Sequence, residues 1–170
     1  HALTAYRQGV THASAGELRE KLQFKQGEVQ YRLAKYDAAA GALEQFLREY
    51  PQSSLLPTAR FLVAECRFQQ QQYEQALPLF VQTANEKVEP HQALALFRAG
   101  TCEAHRKQWS ESQRHFTTLL NAYPQFAEQS EARYALGIAF FEQKQIDQAS
   151  GAWQAVIDET DAEPAAKSHY

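Results

Sequence analysis

Apolar residues recur along the chain at three- and four-residue steps, and no stretch sustains the alternation that strands require. The pattern therefore predicts helices throughout. The segment 132–153, ARYALGIAFFEQKQIDQASGAW, shows the rhythm and its interruption: Gly137 sits inside an apolar helix, where glycine costs roughly 1 kcal/mol relative to alanine. Twelve residues on stands the small Ala149, and four beyond it the large Trp153. The figure occurs four times: Gly27 with Ala39, Ala64 with Ala76, Gly100 with Ser112 and Gly137 with Ala149. The second members are 37, 36 and 37 residues apart. Three residues before each of them stands Tyr36, Tyr73, Trp109 or Ile146, and four after it Leu43, Phe80, Phe116 or Trp153. Self-similarity at such a period signals stacked supersecondary units and overrides other readings of the fold.

Each unit reads as helix, short turn, helix. The turns are polar (LAKYD, QQQQYE, RKQWS, EQKQID), and units are parted by YPQSS at 50–54 and YPQFA at 123–127. Proline disfavours helix in the residue before it and suits the start of the next one. The paired small residues are expected where two helices cross, so that the packing of Leu136, Phe140 and Trp153 outweighs the lost propensity of Gly137. The boundaries predicted are 16–51, 54–88, 90–124 and 126–160. Residues 1–13 repeat the second-helix pattern, with Ala2 37 before Ala39 and Tyr6 at the large position. Residues 163–170 are expected to start a further helix, with Tyr170 lying 36 after Tyr134. The chain thus reads as one window, 1–170, of a longer array, with an orphan helix at each end and no polar capping unit.

Composition narrows the chemistry. The net charge of −3 gives no basic footprint for a phosphate backbone, so no nucleic-acid partner is expected. No apolar run approaches the ~18 residues of a membrane span, and no membrane insertion is expected. The QQQQ at 69–72 reads as a solvated helix end and turn rather than a prion-like tract. Two cysteines without C-x-x-C spacing make neither a disulfide framework nor a zinc site. Cys66 and Cys102 are 36 residues apart, at equivalent places on adjacent first helices. Packed helices lie about 8–10 Å apart, too far for a disulfide that needs Cα atoms within about 7 Å. Val29 and Ala139 hold the same place elsewhere, so buried, unreactive thiols are expected. No H-E-x-x-H, phosphate loop or catalytic serine motif occurs. His91, His105 and His115 fall at unrelated helical phases and read as solvated surface, while Ser112 and Ser150 have no histidine or carboxylate placed around them. The expectation is no enzyme, no cofactor and no metal.

The figure resembles the tetratricopeptide repeat, with a small residue on each helix of the pair, then an aromatic and a closing proline. The best matches are YALGIAFFEQKQIDQASGAW and LFRAGTCEAHRKQWSESQRHF…AYP, and the resemblance covers about residues 20–160. Gln26 departs from the usual aliphatic beside Gly27, and the second unit ends in ANEKVEP without Tyr-Pro. The 36–37-residue period and the Tyr-Pro junctions, YPxS at 50–53, look like the bacterial envelope subgroup of the TolA-binding periplasmic protein and the outer-membrane assembly lipoprotein. What the resemblance implies is an all-α, right-handed superhelical solenoid of antiparallel hairpins, with four repeats plus flanking partial ones. A periplasmic or envelope setting is favoured over a cytoplasmic one.

On each first helix, the residue three before the small one and the residue four after it share a face. These are Phe24 and Tyr31, Phe61 and Phe68, Phe97 and Ala104, Tyr134 and Phe141, with Glu28, Glu65, Thr101 and Ile138 between them. The resemblance implies that this stripe lines a concave groove receiving a peptide or helix. Aromatics and glutamates stand where carboxylate-binding members carry lysine and asparagine, so that activity is not carried over. The function expected is a non-catalytic protein-interaction scaffold, with self-association through the exposed array ends as a third possibility. Its rival is a regulatory or substrate-recruiting repeat region of a larger enzyme or multidomain protein.

Overall fold

The turns inside the helix pairs share one backbone device. Ala34, Gln71, Lys107 and Lys144 all adopt the left-handed conformation, with φ of 56°, 60°, 59° and 62°. The computed structural model describes residues 15–86 and 90–167. In it the Ala34 N–H donates to the Tyr31 carbonyl and the Lys35 N–H to the Gln30 carbonyl, both at 2.9 Å. Lys107 and Gln108, then Lys144 and Gln145, repeat the two bonds at 2.9–3.0 Å. This crossed pair is the Schellman closure of a helix C-terminus, and it usually takes glycine because a Cβ is strained there. Exchanging Lys144 for glycine should therefore raise stability by up to ~1 kcal/mol, less the backbone freedom glycine regains on unfolding. Valine at 144 should lower it. Thermal melts of the two variants check this; the idea fails if valine is tolerated as well as glycine.

Among the described residues the chain forms eight helices and no strand. It divides into two units, 1–71 and 72–170. The first unit holds α1 (Ala15–Arg32), α2 (Tyr36–Glu49) and α3 (Leu56–Gln69). Gly27 on α1 faces Leu43 on α2 so closely that a Cβ would lie 2.6 Å from the Leu43 Cγ. Phe46 is fully buried, edge-on to Phe24 with centroids 5.6 Å apart. Ala39, Ala40 and Cys66 form a buried cluster under the Tyr31 and Tyr36 rings. Arg67 of α3 pairs with Glu44 of α2 at 2.6 Å.

The second unit holds α4 (Tyr73–Asn85), α5 (Gln92–His105), α6 (Trp109–Ala122), α7 (Gln129–Glu142) and α8 (Ile146–Lys167). The Ser112 hydroxyl of α6 donates to the Gly100 carbonyl of α5 at 2.9 Å, which places the small pair at the helix crossing. Phe116, Leu119 and Ala132 form the buried centre, with Phe97, Phe126 and Leu136 packed on it. At the last hairpin a Cβ on Gly137 would press on the Trp153 indole, whose Nε1–H donates to the Tyr134 carbonyl at 3.2 Å. Ala64 and Ala76 are each fully buried.

The Tyr-Pro junctions are real turns. The Ser53 N–H donates to the Tyr50 carbonyl and the Phe126 N–H to the Tyr123 carbonyl, each at 3.0 Å, with proline at the second position that suits such turns. Residues 1–13, expected as an orphan second helix, lie outside the described residues. The new helix expected from 163 is not seen, because α8 runs on through Lys167. The helix continues across Pro164 without a break, and residues 158–163 before it contain no glycine or turn signal to end it.

Candidate functional site

The stripe residues differ sharply in how much the fold leaves open. In the first unit Phe24, Phe61 and Glu65 are buried, so their first duty is packing. Tyr31 and Phe68 are half-buried. The Tyr31 hydroxyl donates to the Glu65 carboxylate at 3.3 Å, while its ring lies 6.0 Å from that of Tyr36. Glu28 is held from its own helix by Lys25 at 2.7 Å and by Arg32 at 2.5 Å. The Lys25 hydrogen bond, aided by the Arg32 charge, keeps the Glu28 carboxyl below its usual range. Glu28 and Glu65 are thus already engaged within the chain.

In the second unit the stripe opens toward solvent. Phe97 is half-buried between Phe116 and Phe126, with centroids 5.8 and 5.7 Å away. Thr101 and Ile138 border a cavity of about 320 Å³, shared with Ala104, His105, Trp109, Phe116 and Ala135. Tyr134 and Phe141 are 56% and 51% exposed. Their rings flank Trp153, with centroids 6.4 and 5.9 Å from it.

The serine and histidine candidates fall in different surroundings. Ser112 is buried and its hydroxyl serves the Gly100 carbonyl. The expectation of solvated histidines holds for His105 alone of the three, and its ring stacks on Tyr73 at 4.1 Å. His115 is buried, because the second-helix face that carries it is turned inward beside Phe116. Burial, then the Arg114 charge, pushes its pKa down, and burial does the same to His91. Among the described residues no group of His, Cys, Asp or Glu has the arrangement to hold a metal. No described helix is long and apolar enough to cross a membrane.

Cys66 and Cys102 are fully buried thiols outside any disulfide. Burial pushes the Cys66 pKa up to about 11, because a thiolate there would lose its water. A thiol reagent at neutral pH should therefore label neither cysteine in the native protein within the time that modifies both in urea. Prompt labelling of both without denaturant would refute the buried placement.

Comparison with known proteins agrees with this geometry. No curated protein sequence matches the chain. Among solved structures, MamA from Desulfovibrio magneticus RS-1 superposes with a TM-score of 0.72 at 16% identity, over 84% of this chain and 76% of that one. MamA of MSR-1 gives 0.72 at 16% identity, over 89% and 82%. RapI in its apo form gives 0.72 at 16% identity, over 97% of this chain and 66% of its own. At such identities the likeness is one of fold. The family model described as tetratricopeptide repeat matches residues 24–86 and 106–166, most of the chain. With its small-residue crossings and its 36–37-residue period, this chain belongs to the tetratricopeptide repeat family.

Proposed function

We propose that the chain is a non-catalytic protein-interaction scaffold that binds a peptide or helix of a partner on the exposed part of its first-helix stripe. The observation that carries this is the exposure of Tyr134 and Phe141 beside Trp153. Soluble proteins rarely leave contiguous rings in water, and such patches mark interaction sites. Rings also supply large contact area at low entropic cost. The test uses peptides selected from a random dodecapeptide library on the full chain, with affinity read by fluorescence anisotropy. Tyr134→Ala and Phe141→Ala should each weaken binding by ~1–3 kcal/mol. The assignment falls if the variants keep their helix content and bind at full strength. The setting proposed is the bacterial cell envelope, on the strength of the 36–37-residue period and the YPxS junction at 50–53. Fractionation of cells carrying the tagged full-length protein checks it, and a wholly cytoplasmic distribution refutes it.

A specific observation favours a second reading, self-association. Leu22 and Val29 on α1 are 62% and 43% exposed. Their counterparts one, two and three periods on (Ala59, Ala95 and Ala132 for Leu22; Cys66, Cys102 and Ala139 for Val29) are fully buried. Large apolar side chains on a face that the other repeats cover suit a second copy. Light scattering over a range of concentrations decides it, since a constant monomer mass rules it out.

A further inference from the structure

The third repeat breaks the ring stripe and leaves a hollow where the ring would be. Four residues after the small residue the repeats carry Tyr31, Phe68 and Phe141, but Ala104 in the third. The first unit shows what a ring does at this place. Tyr31 lies against Tyr36, covers the Ala39, Ala40 and Cys66 cluster, and gives its hydroxyl proton to Glu65. Around Ala104 the same places are held by other residues. Trp109 stands in register with Tyr36 and Ile138 with Glu65. Both border the cavity of about 320 Å³ described above, with Phe116 and Ala135 beside them. That volume falls at the lower end of the ~300–1,000 Å³ typical of small-ligand sites.

The lining sets the chemistry of the occupant. Among the described residues that line the cavity there is no Asp, Glu, Lys or Arg. The Thr101 hydroxyl gives its proton to the Phe97 carbonyl at 2.9 Å. The His105 ring is stacked on Tyr73 with 5° between the planes. Where Glu65 accepts the Tyr31 hydroxyl, Ile138 offers only hydrocarbon. A charged group would shed its water here without a counter-charge, and a phenol would lose its acceptor. An uncharged ring would lose neither and would meet the Trp109 indole.

We propose that this cavity is an anchor site for a phenylalanine side chain presented by the partner, whose ring completes the stripe that the chain's own sequence leaves open. The inference rests on the peptide-binding reading and deepens it, by naming the partner's anchor and the side chains the site rejects.

The test uses N-acetylphenylalaninamide titrated into the ¹⁵N-labelled full chain. The chain has two tryptophans, so their indole N–H signals serve as probe and internal control. The Trp109 signal should shift saturably while that of Trp153 stays. N-acetyltyrosinamide should bind about fivefold more weakly, the usual scale of one unmet hydrogen bond, and N-acetyllysinamide should not bind. Ala104→Phe, which supplies the missing ring, should keep the helix content and abolish the response. Should that variant fail to fold, Ile138→Glu is the second arm: it restores the acceptor and should turn the preference toward the tyrosine probe. The proposal is overturned if Trp109 shows no saturable shift, if Ala104→Phe folds and binds the probe unchanged, or if N-acetylleucinamide binds more tightly than the phenylalanine probe. Selected peptides whose binding depends on Tyr134 and Phe141 but not on position 104 would overturn the anchor and leave the scaffold reading standing. A selective Trp109 response with no peptide ever selected would uphold the cavity's preference and sink the scaffold reading.

Discussion

Replacing Phe46 by alanine should destabilise the first unit by about 3–5 kcal/mol, the range for removing a buried aromatic ring. Phe46 has no exposed surface, so the whole ring leaves a void. It also loses its edge-on partner Phe24 and the Tyr50 ring, 5.2 Å away, and ring pairs of this kind add ~0.5–1.5 kcal/mol beyond area. The position matters for the chain path as well. The Tyr50 N–H closes α2 on the Phe46 carbonyl at 2.9 Å, and Tyr50 begins the turn into α3. Because neighbour-only contacts let repeat arrays lose local structure before global structure, two readouts are needed. Urea midpoints should fall, and amide exchange in α1–α3 should accelerate. Phe141→Ala, at a half-exposed ring, is the control and should cost much less. Equal losses for the two variants would mean that the core of the first unit is wrongly drawn.

Much of the fold was legible because the sequence repeats its constraints. A single glycine in a helix says little, but Gly27, Gly100 and Gly137 in one register, each twelve before a small residue, state a contact. The structure supplies that contact directly, with Leu43, Phe116 and Trp153 against the three glycines. The turns hid their geometry. Ala34, Gln71, Lys107 and Lys144 are ordinary helix residues that take the left-handed conformation here, so the usual glycine or asparagine signal is missing.

The candidate site was less legible. Helical phase put Phe24, Phe61 and Glu65 on one stripe with Tyr134 and Phe141, yet phase does not say which repeat has a neighbour over it. Burial therefore separates residues that the period makes equivalent, and it closes the first three while leaving the last two open. His115 shows the same limit in reverse, since its polar side chain gave no sign of burial beside Phe116. Ala104 was visible as the odd member of its series, but a missing ring becomes a cavity only when the residues around it fail to close the space.

Adding one methyl group at five of the chain's seven glycines should split those positions by sign. Gly41 and Gly151 meet nothing within 4 Å of a built Cβ. Alanine there should stabilise by ~0.5–1 kcal/mol, because the variant gains helix propensity and loses freedom in the unfolded chain. The same gain is on offer at Gly27 and Gly100, but there the neighbour has nowhere to go. A Cβ on Gly27 would lie 2.6 Å from the branch carbon of Leu43, and one on Gly100 2.9 Å from two carbons of the Phe116 ring. Leu43 and Phe116 are themselves fully buried, so the helices must part or the side chains leave their rotamers, at ~1–3 kcal/mol. The clash should therefore win at both sites. Gly137 is the deciding case, because its built Cβ comes closest of all to a neighbour, the Trp153 indole. Trp153 is only half-buried and can swing outward by giving up its bond to the Tyr134 carbonyl, which costs about 1 kcal/mol. Gly137→Ala should accordingly cost less than Gly27→Ala or Gly100→Ala, despite the tighter approach. A second change tests the cause: Phe116→Leu should recover part of the loss in a Gly100→Ala background, as coupled neighbours do. Urea midpoints of the five single variants give the ranking. If all five move together, backbone freedom rather than helix crossing explains the glycines, and the pairing of small with large positions has lost its physical basis.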